Sequence, residues 1–170
     1  MKINIIQKGN NYAFLDSQNL NLGILELGWK LDFKRFRIYL QEKYNVNKAY
    51  LFIGYINKNR CLYKILRSYG YILIFKPTVI GKEKIKGNVD GELILQAMID
   101  FNKYDKAIII SGDGDFYCLV KYLYEQNKIL RIFVPNKYKY SVLLRKAIPS
   151  GKKISFMNDF RKLLELKKVK

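Results

Sequence analysis

The sequence predicts an α/β protein: a three-layer sandwich whose central, mostly parallel sheet of about five strands is flanked by helices. Three observations lead there. Short apolar runs bounded by turn residues alternate about five times with segments of helical spacing, as expected when each strand returns through a helix to a parallel neighbour. Ala107–Ile110 is an unbroken apolar run, which a strand covered on both faces requires. The 170 residues, 49% of them hydrophobic, suffice for one full core. No linker, internal repeat or low-complexity tract divides them, so the expectation is one domain over 1–170 with its core motifs in 12–147.

The elements follow in order. Tyr12–Leu15 is a buried strand ending in Asp16, followed by a stretch with Gly23 and Gly28 that reads as a loop. Asp32 is placed to N-cap a helix through about Lys43, whose Phe33, Phe36 and Leu40 recur at helical spacing. Val46–Ile53 is a second strand. Asn59–Tyr69 is a helix stopped by Gly70, and Tyr71–Phe75 a third strand closed by Lys76-Pro77. Thr78 to Asn88 is polar and reads as an exposed loop. Val89–Phe101 is helical, Ala107–Ile110 the central strand, and Phe116–Glu125 the helix after it. Ile129–Val134 is a fifth strand, stopped by Pro135. Ser141–Ala147 and a C-terminal helix over 156–167 complete the chain.

Composition narrows the chemistry. Lys and Arg number 32 against 14 Asp and Glu, a formal charge of +18, and such an excess attracts polyanions through counterion release. Fourteen Tyr and 10 Phe, often beside Lys as in Lys137-Tyr-Lys-Tyr140, suit single-stranded nucleic acid, whose bases stack while its phosphates pair with cations. Histidine is absent. That excludes Ser-His-Asp and Cys-His schemes, histidine-ligated zinc and an imidazole base. Cys61 and Cys118 read as buried apolar thiols rather than a disulfide or zinc site. No apolar run approaches the roughly 20 residues of a membrane span, and the first residues lack the features of a signal peptide, so a cytoplasmic protein is expected.

Against this basic background four aspartates stand out: Asp16 after strand one, Asp90 in Lys86-Gly-Asn-Val-Asp90, and Asp113 and Asp115 in Ser111-Gly-Asp-Gly-Asp-Phe116. Three of the four follow or bound apolar runs, where open α/β sheets build their sites. If the strands ending at Asp16 and Ile110 are neighbours, Asp16 and Asp113 emerge in one crevice. Gly112 and Gly114 would allow a tight turn with unusual dihedrals. Carboxylates so crowded stay ionised together when a cation joins them, and hard oxygen ligands without His or Cys select Mg²⁺ or Mn²⁺. Helix capping and turn formation are the bland alternatives for Asp90, Asp115 and Asp113; Asp16, an acid on a buried strand, needs a partner. Asn19 could orient water or phosphate, or simply close a turn. Glu92 is a candidate further ligand, though its place on a helix surface favours solvation.

Tyr12-Ala-Phe-Leu-Asp16-Ser-Gln-Asn19-Leu, Lys86-Gly-Asn-Val-Asp90 and Ile-Ser-Gly-Asp113-Gly-Asp115-Phe116 resemble the NYN domain family, a branch of the PIN-like nucleases. The resemblance runs in order from about Tyr12 to Ala147. It implies a PIN-like sandwich and a metal-dependent ribonuclease. By motif, Asp16, Asp90, Asp113 and Asp115 would be both metal ligands and catalytic acids, with Asn19 and Ser111 as accessory polar groups. Many relatives carry a further aspartate one and a half turns after the Asp90 position, where this chain has Gln96.

The reading is a Mg²⁺- or Mn²⁺-dependent endonuclease that hydrolyses phosphodiester bonds of single-stranded or structured RNA. Lys82, Lys84 and Lys86, with Lys137, Lys139 and Arg145 as a second patch, would contact phosphates without regard to sequence. The alternative is a non-catalytic RNA-binding or regulatory domain that retains the acidic pocket. A haloacid-dehalogenase-type phosphatase fails, because Asp16 is followed by Ser17 and Gln18 rather than by a second acid two residues on; no P-loop motif occurs either. Oligomeric state stays open, a homo-oligomer included.

Overall fold

The computed structural model describes residues 9–76 and 89–167. Six strands, β1 (Asn11–Asp16), β2 (Val46–Gly54), β3 (Tyr71–Lys76), β4 (Ala107–Ile110), β5 (Ile129–Val134) and β6 (Ile154–Phe156), form one sheet in the order β3-β2-β1-β4-β5-β6. Every neighbouring pair is parallel. The helices are α1 (Ser17–Glu26), α2 (Phe33–Tyr44), α3 (Arg60–Ser68), α4 (Asp90–Ile99), α5 (Tyr117–Glu125), α6 (Val142–Ala147) and α7 (Arg161–Leu164).

Strand alternation splits the core into two layers. Phe14, Tyr50, Phe52 and Ile109 point to one face, where α4, α5 and α6 cover them with Leu93, Leu119, Val120 and Leu144. Ala13, Leu15, Leu51 and Ile110 point to the other, under Leu20 and Ile24 of α1, Phe36 and Leu40 of α2 and Leu164 of α7. The three-layer architecture is therefore as the sequence predicts, with one more strand and a wholly parallel sheet.

Three local expectations change. The stretch after Asp16 is not a loop but α1, with Asp16 as its N-cap. Leu20 and Ile24, one turn apart, are buried against the sheet, and Gly23 lets the helix approach the segment that leaves β5, since a Cβ there would sit 2.6 Å from Pro135 Cβ. The C-terminal helix over 156–167 is divided. Phe156 ends β6 and packs with Tyr140 on the α4–α6 face, whereas Phe160 and Leu164 pack on the opposite face. One continuous helix cannot serve both faces, so a 3₁₀ turn (Met157–Phe160) carries the chain across the sheet edge to the single turn of α7. Cys61 and Cys118 are exposed free thiols rather than buried ones; Tyr63 and Leu66 of α3, and Leu119, Val120 and Leu123 of α5, occupy the inner faces. The candidate phosphate-binding residues Lys82, Lys84 and Lys86 lie outside the described residues.

Away from the carboxyl ends of the strands, a buried network ties α4 to β2. Asp100, 2% exposed, accepts hydrogen bonds from Tyr50 Oη (2.7 Å), Gln96 Nε2 (2.8 Å) and Lys103 Nζ (2.8 Å). Burial alone would raise this carboxyl, but the three donors outweigh it and hold Asp100 below the usual carboxylate range.

Candidate metal centre

β1 and β4 are paired in the middle of the sheet, with Leu15 opposite Ile110. The helix after β1 packs on one face and the helix after β4 on the other. The chain ends leaving these two strands therefore part and open a crevice at their carboxyl ends, the usual ligand position in such sheets.

Asp16, the last residue of β1, is 5% exposed. Its Oδ1 accepts the backbone N–H of Asn19 (3.1 Å) and its Oδ2 the hydroxyl of Ser111 (3.2 Å). Ser111, fully buried, also accepts the N–H of Asp113 (3.1 Å), so one hydroxyl links the two acidic segments. Burial pushes the Asp16 carboxyl up to about 6. The hydrogen bonds from Asn19 and Ser111 oppose that rise, and the charges of Asp90 and Asp113 add to it. Asp90 is the first residue of α4 and is 8% exposed. Asp113 caps the 3₁₀ turn Gly114–Phe116, accepting the N–H of Asp115 at 3.1 Å. Asp115 is exposed on that turn.

Asp90, Asp113 and Asp115 each bring one carboxylate oxygen within 4.8 Å of the others. Asp16 is beside this trio rather than within it, and it shares the walls of one cleft with Asp90 and Asp113. The cleft has a volume of about 630 Å³. Three hard oxygen donors converging from a helix start and a strand-to-helix turn are a donor set that fits Mg²⁺ or Mn²⁺.

The glycines around Asp113 act by close approach, not by unusual dihedrals. Neither Gly112 nor Gly114 has a positive φ. Instead, a Cβ on Gly114 would meet Ser141 Oγ at 2.4 Å, and one on Gly112 would meet Tyr140 Cβ at 3.3 Å. Asn19 has a bracing place: its Oδ1 accepts the N–H of Gly112 at 2.8 Å, joining α1 to the loop that carries Asp113. Glu92 pairs with Lys76 at 3.6 Å. Gln96 belongs to the Asp100 network and does not line the cleft.

The basic patch is divided. Lys139 lines the cleft and pairs with Glu26 at 3.1 Å. Lys137 lies over the ring of Tyr138, 5.0 Å from its centroid, and that ring is 74% exposed. Arg145 is exposed in the last turn of α6 and does not line the cleft. Sequence reasoning missed Glu26 and Asn136, which line the cleft and hydrogen-bond to each other at 3.4 Å. An N-cap Asp16 followed by Leu20 and Ile24 one turn apart is the signal that would have put Glu26 on a helix beside the crevice.

The sequence profile of the NYN domain family matches residues 12–149. A crystal structure of a protein of unknown function from Vibrio parahaemolyticus superposes with a TM-score of 0.76 over 98% of this chain and 100% of that one, at 23% identity. The likeness bears on the fold. No curated protein matches the sequence significantly.

Proposed function

This chain belongs to the NYN domain family, and on that premise we propose that it is a divalent-metal-dependent endoribonuclease with its site at the β1/β4 crevice. The observation that carries the reading is the convergence of Asp90, Asp113 and Asp115 within a surface of strong positive charge. An acidic trio without a cation would repel the phosphates that the rest of the surface attracts.

In this reading Asp90, Asp113 and Asp115 hold Mg²⁺ or Mn²⁺. When bound, such an ion neutralises charge developing on a phosphodiester and lowers the pKa of water. Asp16 is the fourth acid. Each of its oxygens accepts one hydrogen bond in the fold and a carboxylate oxygen has room for a second, so it retains capacity to face the cleft. Ser111 and Asn19 are accessory: they fix Asp16 and the Gly112–Asp113 backbone relative to each other. Lys137, Lys139 and Arg145 attract the RNA backbone, and the open ring of Tyr138 offers a stacking surface beside the cleft.

The test is cleavage of end-labelled single-stranded RNA with Mn²⁺, Mg²⁺ or EDTA, wild type beside Asp113→Asn at matched RNA occupancy. Cutting should require metal and fall by more than about 100-fold in the variant, beyond what loss of an outer-shell partner costs. RNA binding by both proteins with cutting by neither, under either metal, would replace this reading with a binding module. Preferential cutting of single-stranded DNA would reassign the substrate.

A further inference from the structure

Next to the acidic cleft lies a second cavity of about 480 Å³, inside the roughly 300–1,000 Å³ span of small-ligand sites. Gln18, Leu22 and Val89 line both, so the two share a wall, and Val89 is bonded directly to Asp90. In character they are opposites. Among the described residues no charged side chain lines the second cavity, in a chain of net charge +18. Fully buried Phe52 and half-buried Phe33 form part of its wall. Leu22, Ile56 and Leu62 line it as well, yet are 52%, 37% and 43% exposed. Such apolar side chains beside a cavity mark a binding surface more than a solvated one.

The longer polar side chains of the lining are amides: Gln18, Asn21 and Asn59. Among the described residues none of the three has a side-chain hydrogen-bond partner. Asn59 ends a 3₁₀ turn (Asn57–Asn59) that runs directly into α3, and its side chain makes no cap bond to that helix. A side-chain amide carries donors and an acceptor together, the combination presented by the edge of a nucleobase.

We propose that this cavity receives one unpaired nucleobase of the strand whose backbone crosses the acidic cleft. Its ring lies against Phe33, Leu22 and Leu62, and its edge meets the amides of Asn21, Asn59 and Gln18. The inference rests on the nuclease reading for the identity of the strand. A base fits better than a charged ligand because the described residues of the wall offer no counter-charge, whereas the phosphates on either side find theirs outside the cavity. A base already paired in a duplex has its edge occupied and cannot present it to these amides, so the site also selects single-stranded substrate.

The experiment is equilibrium binding in EDTA, where no strand is cut, of a short labelled RNA and of an abasic ribose–phosphate strand of the same length. Wild type should prefer the base-bearing strand by about tenfold or more. Leu62→Trp, which fills the mouth from an exposed position, should remove at least about fivefold of that preference while leaving the melting temperature unchanged; Asn21→Ala with Asn59→Ala should remove part of it. Asp113→Asn should keep the preference whole. Equal binding of both strands by wild type, or an undiminished preference in Leu62→Trp, overturns the proposal. The two readings fail separately. Metal-dependent cutting with no base preference removes the pocket and leaves the nuclease; a preference lost in Leu62→Trp with no cutting under any metal removes the nuclease and leaves the pocket.

Discussion

Replacing Asp16 by Asn should stabilise the metal-free protein, and the gain should depend on pH in a stated direction. Asp16 is 5% exposed and faces the charges of Asp90 and Asp113, so burial and repulsion raise its carboxyl from 3.8 to about 6. Between those values the folded chain binds a proton that the unfolded chain has released. Stability therefore falls as pH rises from about 4 to about 6, and the loss is complete above that window. At 1.36 kcal/mol per pH unit the displacement amounts to about 3 kcal/mol, an upper figure. Asparagine cannot ionise. Its Oδ1 can keep the N–H of Asn19, and its Nδ2 can donate to Ser111 Oγ, which already sits at 3.2 Å. In EDTA the two proteins should melt together near pH 4, and at pH 7.5 the variant should melt higher by up to about 6–12 °C, at 2–4 °C per kcal/mol for a chain this size. Mn²⁺ at pH 7.5 should narrow the gap by stabilising wild type more than the variant. Circular-dichroism melts across pH 4–8 decide it. Parallel melting curves through the whole range, or a variant less stable at pH 7.5, would refute the view that Asp16 is a buried charge awaiting a cation.

Four further outcomes are expected. Gly114→Ala places a methyl 2.4 Å from Ser141 Oγ and should cost about 1–3 kcal/mol by urea denaturation, with Ser141→Gly restoring most of it. Tyr50→Phe removes one of three donors to buried Asp100 and should cost about 1.5–3 kcal/mol, the range for a hydrogen bond to a charged group, read from the same titration. Lys137→Ala with Lys139→Ala should weaken binding of all single-stranded RNA sequences alike, and lower the log–log salt slope by about 0.7 per lysine; an unchanged slope would remove both from the RNA path. Cys61 and Cys118 should both react with a thiol reagent in the folded protein, without denaturant, because both are exposed.

Five of the six strands were legible because each is an apolar run bounded by turn residues or an acid, and the pattern of Ala107–Ile110 leaves only a strand covered on both faces; β6, three residues with Ser155 at its centre, carries no such run. The helix cap at Asp32 was legible for a local reason: its side chain accepts the backbone N–H of Arg35, three residues on. The four aspartates could be singled out as element-end acids in an acid-poor chain. What sequence order could not decide is distance. Asp16 and Ser111 are 95 positions apart and bonded only because β1 lies beside β4. The same pairing turns three acids into a cluster and leaves Asp16 next to it. The close approach of Gly114 to Ser141, the crossing of the C-terminal segment over the sheet edge, and the second cavity beside the cleft likewise exist only once strands are ordered. Local chemistry along the chain sets which elements form, because propensity and capping act within a few residues; strand order sets which side chains meet, because that contact is made by packing between segments far apart in the sequence.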